Sequence, residues 1–174
     1  MTHDIRIRRL SGRDWNAVLA LEAGAYADSG LSEDGEALRS RALASPGTCF
    51  VLDAGPRTAG YVLALPYPLF RYPDLSRGED TTFDSRNLHL HDIVIAPELR
   101  GRGLGRLLLR HLTATAGARG YERISLVSVG GSAPFWAAHG YRPHDEVALP
   151  ASYGTGARYM SAPVRASRPV LTGR

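Results

Sequence analysis

The chain has 174 residues, enough for one domain with a sizeable core and short for two. Hydrophobic residues make up 44% and charged residues 22%, an ordinary globular balance that excludes wholesale disorder. Net charge is +4 and all 21 basic residues are arginine, but they are spread along the whole chain without an aromatic-interleaved basic tract, which argues against nucleic acid as a partner.

In chain order, residues 4–10 alternate like an opening strand. Residues 11–26 read as a helix with Ser11 as its cap and Trp15, Val18, Leu19 and Leu21 or Glu22 at helical spacing. A second, shorter helix is predicted over 32–44, capped by Ser32. Strands follow at 48–53 and 58–66, joined by a turn through Gly55 and Pro56. Residues 67–87 carry several prolines and mixed aromatic, acidic and basic side chains. A loop of that length inside a compact domain is functional or mobile. Then come a strand at 88–96, a turn with Gly101, Gly103 and Gly105, a helix over 103–117, a strand over 122–129 and a short helix over 132–140. Strands at 141–149 and 158–164 close the order, and the tail from 165 is expected to fray. No apolar run approaches the roughly 20 residues of a membrane helix, and the N-terminal stretch lacks a secretory apolar region. The single Cys49 cannot form an internal disulfide, which suits a reducing cytoplasm; it lies in a strand pattern that reads as buried core rather than as a nucleophile.

The strand–glycine–helix unit carries the most information. A backbone that wraps a phosphate needs converging N–H groups, and glycine supplies the required positive φ and missing Cβ. The start of the next helix adds unpaired N–H donors and a positive dipole end. Arg100, Arg102, Arg106 and Arg110 add charge-assisted donors. The unit reads as a pyrophosphate cradle. It is not a P-loop, because no Gly-Lys-Ser/Thr follows and the chain has no lysine. It is not the dinucleotide fingerprint either, because the spacing is G-x-G-x-G and the turn follows the fourth strand.

Arg100-Gly101-Arg102-Gly103-Leu104-Gly105 resembles the Q/R-x-x-G-x-G/A signature of the GNAT N-acetyltransferases, and Pro134-Phe135-Trp136-Ala137-Ala138-His139-Gly140-Tyr141 is similar to the family's later FYxxxGF helix. The resemblance is specific over about 88–142 and only topological over 1–87. It implies a GNAT-type α/β fold: a central, mostly antiparallel twisted sheet of six to seven strands flanked by about four helices. Residues 1–164 would form a single domain. It implies acetyl-CoA as cosubstrate and an amine as acceptor; no metal is expected, because His89 and His91 are two possible ligands with no clear third. In such enzymes the pantetheine arm pairs with the strand before the turn. Here that assigns it to Ile93, Val94 and Ile95, with the pyrophosphate on the backbone of Arg102, Gly103, Leu104, Gly105 and Arg106, and further cofactor contacts at Arg100, Gly101, Ser132, Phe135 and Trp136.

For chemistry, the amine must lose a proton and the developing oxyanion needs a donor. Asp92, His91 and His89 are competing candidates for the base. In a flat strand His89 and His91 share a face with Ile93 and Ile95 while Asp92 points the other way, unless a bulge intervenes. Glu22 could face the acceptor from the first helix, and the acidic and aromatic side chains of 67–87 could line its site. The family's usual thiolate acid is a tyrosine at the position of Trp136, and an indole N–H cannot play that part; Tyr141 reads as core. Two readings follow: an N-acetyltransferase acting by direct transfer in a ternary complex, or a non-catalytic acyl-CoA-binding module or sensor. Edge strands also permit a homodimer.

Overall fold

The structure is a computed structural model that describes residues 4–165. Its centre is a seven-stranded sheet in the order β1-β2-β3-β4-β5-β7-β6. The strands are β1 (Ile5–Arg9), β2 (Phe50–Ala54), β3 (Arg57–Pro66), β4 (Asn87–Ile95), β5 (Arg123–Ser128), β6 (Arg142–Pro143) and β7 (Arg158–Pro163). Every neighbouring pair is antiparallel except β4 and β5. The helices are α1 (Trp15–Tyr26), α2 (Gly35–Ala44), α3 (Leu104–Ala118) and α4 (Ala133–Ala138). This is the mixed, mostly antiparallel sheet with four helices that the sequence predicts. The predicted tail beyond Arg165 lies outside the described residues.

Two cores form on the two faces. On one, α3 buries Leu108, Leu109, Leu112 and Ala116 against Val62, Ala64, Leu88 and Leu90, joined by Trp136 of α4. The spacing of those α3 residues is the apolar stripe of an amphipathic helix, with Arg106 and Arg110 left exposed. On the other face, Val18 of α1 and Leu38 of α2 pack on Val51, Tyr61, Leu63 and Val94.

Three boundaries differ from expectation for identifiable reasons. The first predicted helix opens as a 3₁₀ turn at 12–14, and the α-helix starts only at Trp15. Asp14 is held there by Ser11 N at 2.8 Å and by both terminal nitrogens of Arg8 at 2.8 and 2.9 Å. The cap of α2 is Asp34, which accepts from Glu36 N at 3.1 Å, because Ser32 instead donates to Glu22. The predicted strand over 141–149 shrinks to Arg142–Pro143, as Pro143 has no N–H to extend the ladder.

The long β3–β4 connection is tied down rather than loose. Phe70 N donates to Tyr159 Oη at 2.8 Å, Tyr72 Oη donates to Ala148 O at 2.7 Å, and Glu79 N donates to Ser40 Oγ at 2.8 Å. At Gly78 it runs so close to α2 that an added Cβ would meet Ser40 Oγ at 2.7 Å.

Two irregularities of β4 shape the site. Leu63 pairs with Asp92 but the adjacent Ala64 pairs with Leu90, so His91 is an extra residue in the ladder, a β-bulge. Beside β5, β4 is paired only through Asn87, Leu88 and His89, against Arg123, Ile124 and Ser125. Beyond His89 the two strands part, and the sheet splits there.

Candidate active site

The split and the glycine turn open into one cavity of about 930 Å³. At its first end Gly101 and Gly103 have φ of 79° and 76°, a conformation that favours glycine. Gly103 stands immediately before the 15-residue α3, so the free N–H groups of that helix's first turn open beside it. Gly105 is helical, and an added Cβ would sit in ordinary contact with Ile95 at 3.8 Å, so only room is asked of it. Arg100 Nε donates to Ile95 O at 3.2 Å, and Arg102 and Arg106 are exposed. Ile93, Val94 and Ile95 line the middle of the cavity, in the part of β4 that has left β5. Ser132, Phe135 and Trp136 form the opposite wall. Trp136 is buried, with its ring edge-on to Phe135 and Tyr141 at centroid distances of 5.0 and 5.3 Å. Tyr141 is core, as expected, and burial raises its hydroxyl pKa. Ser132 precedes the first turn of α4, but its Oγ donates back to Val129 O at 2.7 Å instead of capping the helix.

The other end is built by side chains from α1, the segment before α2, and the bulge of β4. The bulge corrects the flat-strand expectation. Leu88 and Leu90 before it and Ile93 and Ile95 after it all pack in the α3-side core. Asp92 and Val94 therefore lie on the α1–α2 face, and the histidines do not oppose Asp92 across the sheet. Asp92 is buried and accepts hydrogen bonds from Tyr26 Oη at 2.7 Å and from Tyr61 Oη. Burial raises its pKa to about 6, against the opposing pull of the His91 charge and of the two hydroxyl donors. Burial first, and the Asp92 charge second, raise both tyrosine hydroxyls well above their ordinary value, so they stay protonated donors.

His91 lines the cavity, and its Nε2 meets Glu33 Oε2 at 2.5 Å. Burial tends to raise the Glu33 carboxyl, but the charges and hydrogen bonds of His91 and Arg41 outweigh it and hold Glu33 below the usual range. Glu22 and Tyr26 line the same end, with Leu31, Leu75 and Tyr153 as its apolar part. Glu22 is buried and accepts from Glu33 N at 2.9 Å and from Ser32 Oγ.

His89 is placed apart. It is buried, with Nδ1 at 2.9 Å from Ser125 Oγ and its ring near Tyr67 and Tyr159, and it is not part of the cavity wall. Burial pushes its pKa well below the ordinary histidine value. Cys49 is core, with its thiol donating to Ala64 O at 3.4 Å and pushed up to about 12 by burial. The 67–86 loop contributes Leu75 to the wall, while its acidic Glu79 is spent on Arg41 and Asp74 on its own turn at Ser76. The acidic lining expected from that loop comes instead from Glu22, Glu33 and Asp92.

Sequence reasoning missed Glu33, Arg41, Tyr26 and Tyr61. Arg41 had a signal: with Ala37, Leu38 and Ala42 it falls on the buried stripe of α2, where an arginine must have buried partners. Glu33 had none, because its place before a helix reads equally well as part of a cap.

A split parallel pair, a glycine turn feeding a helix and a carboxylate–histidine group thus line one cavity. The chain belongs to the acetyltransferase (GNAT) family, whose pattern it matches over residues 15–141. Among curated proteins it is similar to the glucosamine 6-phosphate N-acetyltransferase of Trypanosoma brucei brucei, 35% identical over 57 residues. That stretch is 33% of this chain and 39% of the relative, so the likeness spans well under half of either. Among solved structures, the loading GNATL domain of CurA from Lyngbya majuscula superposes with a TM-score of 0.75 at 19% identity, covering 92% of this chain and 98% of that one. The GphF GNAT-like decarboxylase in complex with isobutyryl-CoA gives 0.74 at 21% identity, covering 92% and 100%. Both likenesses are of fold. No helix among the described residues is long and apolar enough to cross a membrane.

Proposed function

We propose that this chain is an acetyl-CoA-dependent N-acetyltransferase that transfers the acetyl group directly to a primary amine in a ternary complex. The observation that carries the reading is the single cavity, with the glycine turn at one end and His91 and Asp92 at the other. The residues present suit the donor. Positive-φ glycines and the α3 N-terminus offer backbone N–H groups to a pyrophosphate, with Arg100, Arg102 and Arg106 alongside. Where β4 has left β5, Ile93, Val94 and Ile95 can pair with an extended arm as an added strand would. Ser132, Phe135 and Trp136 close the far side.

Acetyl-CoA supplies the activated thioester. The amine enters as an ammonium ion and must lose a proton before its nitrogen bonds to the carbonyl carbon; as the C–S bond breaks, the nitrogen sheds a second proton and the departing CoA thiolate takes one up. His91 takes the first proton: Nε2 is engaged by Glu33, and Nδ1 has no hydrogen-bond partner among the described residues. Asp92, fixed by two tyrosines, supplies negative charge beside it. A backbone N–H of Ile93 or Val94 serves the developing oxyanion. The carboxylates of Glu22, Glu33 and Asp92 favour a cationic acceptor. The buried, unpaired Cys49 suits a cytoplasmic setting.

The test is calorimetric titration with acetyl-CoA and desulfo-CoA, followed by thiol release over a panel of amines that includes glucosamine 6-phosphate. Binding followed by thiol release supports the enzyme. Binding without transfer to any amine supports the second reading, an acyl-CoA sensor, which Trp136 in place of a tyrosine acid favours. Absence of binding overturns both.

A further inference from the structure

Behind the acceptor end of the cavity, three buried side chains form one line. Glu33 Oε2 meets His91 Nε2, and Glu33 Oε1 accepts from Arg41 Nε at 3.2 Å and Nη2 at 2.5 Å. The remainder of the same guanidinium faces the 67–86 loop. Nη1 donates to Glu79 Oε1 at 2.5 Å, and Nη2 donates to Asp74 O and Arg77 O, each at 3.1 Å. Arg41 is 0% exposed and does not line the cavity.

A network of this kind is a poor way merely to fasten a loop to a helix, because well-packed apolar side chains do that as well or better. What it adds is direction. An imidazole bound to an ionised carboxylate through Nε2 carries its proton there and presents the lone pair on Nδ1. Glu33 cannot swing away, since the planar fork of Arg41 grips its other oxygen. That fork is in turn oriented by two loop carbonyls and Glu79. The placement of the loop and the orientation of the imidazole are therefore set by one side chain.

We propose that Glu33 and Arg41 are positioning residues that hold His91 in a single tautomer with Nδ1 toward the acceptor, and that docking of the 67–86 loop on Arg41 fixes this arrangement. The proposal rests on the reading of His91 as the proton acceptor. Glu33→Gln tests it with little change in shape, because one carboxamide oxygen cannot serve both His91 and Arg41.

The decisive readout is nitrogen NMR of histidine-labelled protein, with the His91 signals assigned by their absence in His91→Ala. At neutral pH the wild type should show His91 as the Nε2-protonated tautomer, and Glu33→Gln should show a mixture. Glu79→Gln, which touches only the loop side, should shift the His91 signals by less. In turnover of the best amine from the panel, Glu33→Gln should lower kcat roughly tenfold or more while the KM for acetyl-CoA stays within about twofold. An unchanged tautomer in Glu33→Gln overturns the proposal, and so does a loss of thermal stability and kcat together without a tautomer change. If Glu33→Gln turns over normally while His91→Ala is about 100-fold slower, the positioning role falls and the base stands. If His91→Ala keeps full turnover, the base reading itself falls.

Discussion

The two ends of the cavity are made in different ways. The donor end is a matter of backbone: two positive-φ glycines, the first turn of α3 and the stretch of β4 that has parted from β5, all within residues 90–107. The acceptor end is a matter of buried side chains gathered from α1, the segment before α2, β3, β4 and the long loop. Backbone geometry tolerates change in its surroundings, whereas a buried charged network fails when one member is lost. The two ends should therefore come apart under mutation.

The largest effect is expected at Arg41. Arg41→Met leaves Glu33 and Glu79 buried without their cation and should cost about 3–5 kcal/mol, lowering Tm by on the order of 10 °C. Scanning calorimetry measures the loss. Below the new Tm, acetyl-CoA affinity should be unchanged; a parallel loss of donor binding would show that the ends are not separate.

Next comes Asp92. Its pKa rises on folding from the ordinary carboxyl value of 3.8 to about 6, so the folded state binds the extra proton between those values. The stability contributed by that proton is present below about pH 4 and is lost as pH rises to about 6, on the order of 3 kcal/mol in all. The difference between wild type and Asp92→Asn, followed by urea unfolding from pH 4 to 7, should change by that amount and in that direction.

Gly103 tests the opposite end. Gly103→Glu should weaken acetyl-CoA binding by about 100-fold or more, through charge repulsion in the cradle and an unfavourable positive φ. Gly103→Ala, which carries the strain without the charge, should lose much less. Both variants should keep the His91 tautomer of the wild type. The smallest effect is at Cys49, which lies in the α1–α2 core outside the buried charge network. Native protein should react with iodoacetamide far more slowly than unfolded protein, and Cys49→Ala should leave turnover unaltered.

The same contrast explains what the sequence could reveal. The glycine turn is legible because its three glycines and its helix are adjacent in the chain, and each has a local reason. The order of strands and helices is legible because their periodicities are local as well. The bulge at His91 is not: it follows from how β3 meets β4 around Ala64, and it puts Leu90, which a flat strand would place beside Asp92, on the opposite face. Glu33 and Glu79 acquire meaning only when Arg41 brings them together across sequence separations of 8 and 38. Local pattern finds where a cofactor's phosphates rest; it does not find a site assembled by long-range pairing.

The parting of β4 from β5 has a consequence for motion as well as for binding. Among the described residues, ladder pairing joins the two halves of the sheet only through Asn87–His89 and Arg123–Ser125. Amides of β4 that face the split have no ladder partner there, so they should exchange with deuterium quickly in the free protein. An extended ligand arm lying along β4 would slow them. Exchange along residues 90–95 thus becomes a clock for occupancy of the cleft, readable even when no acceptor is present and no acetyl group moves.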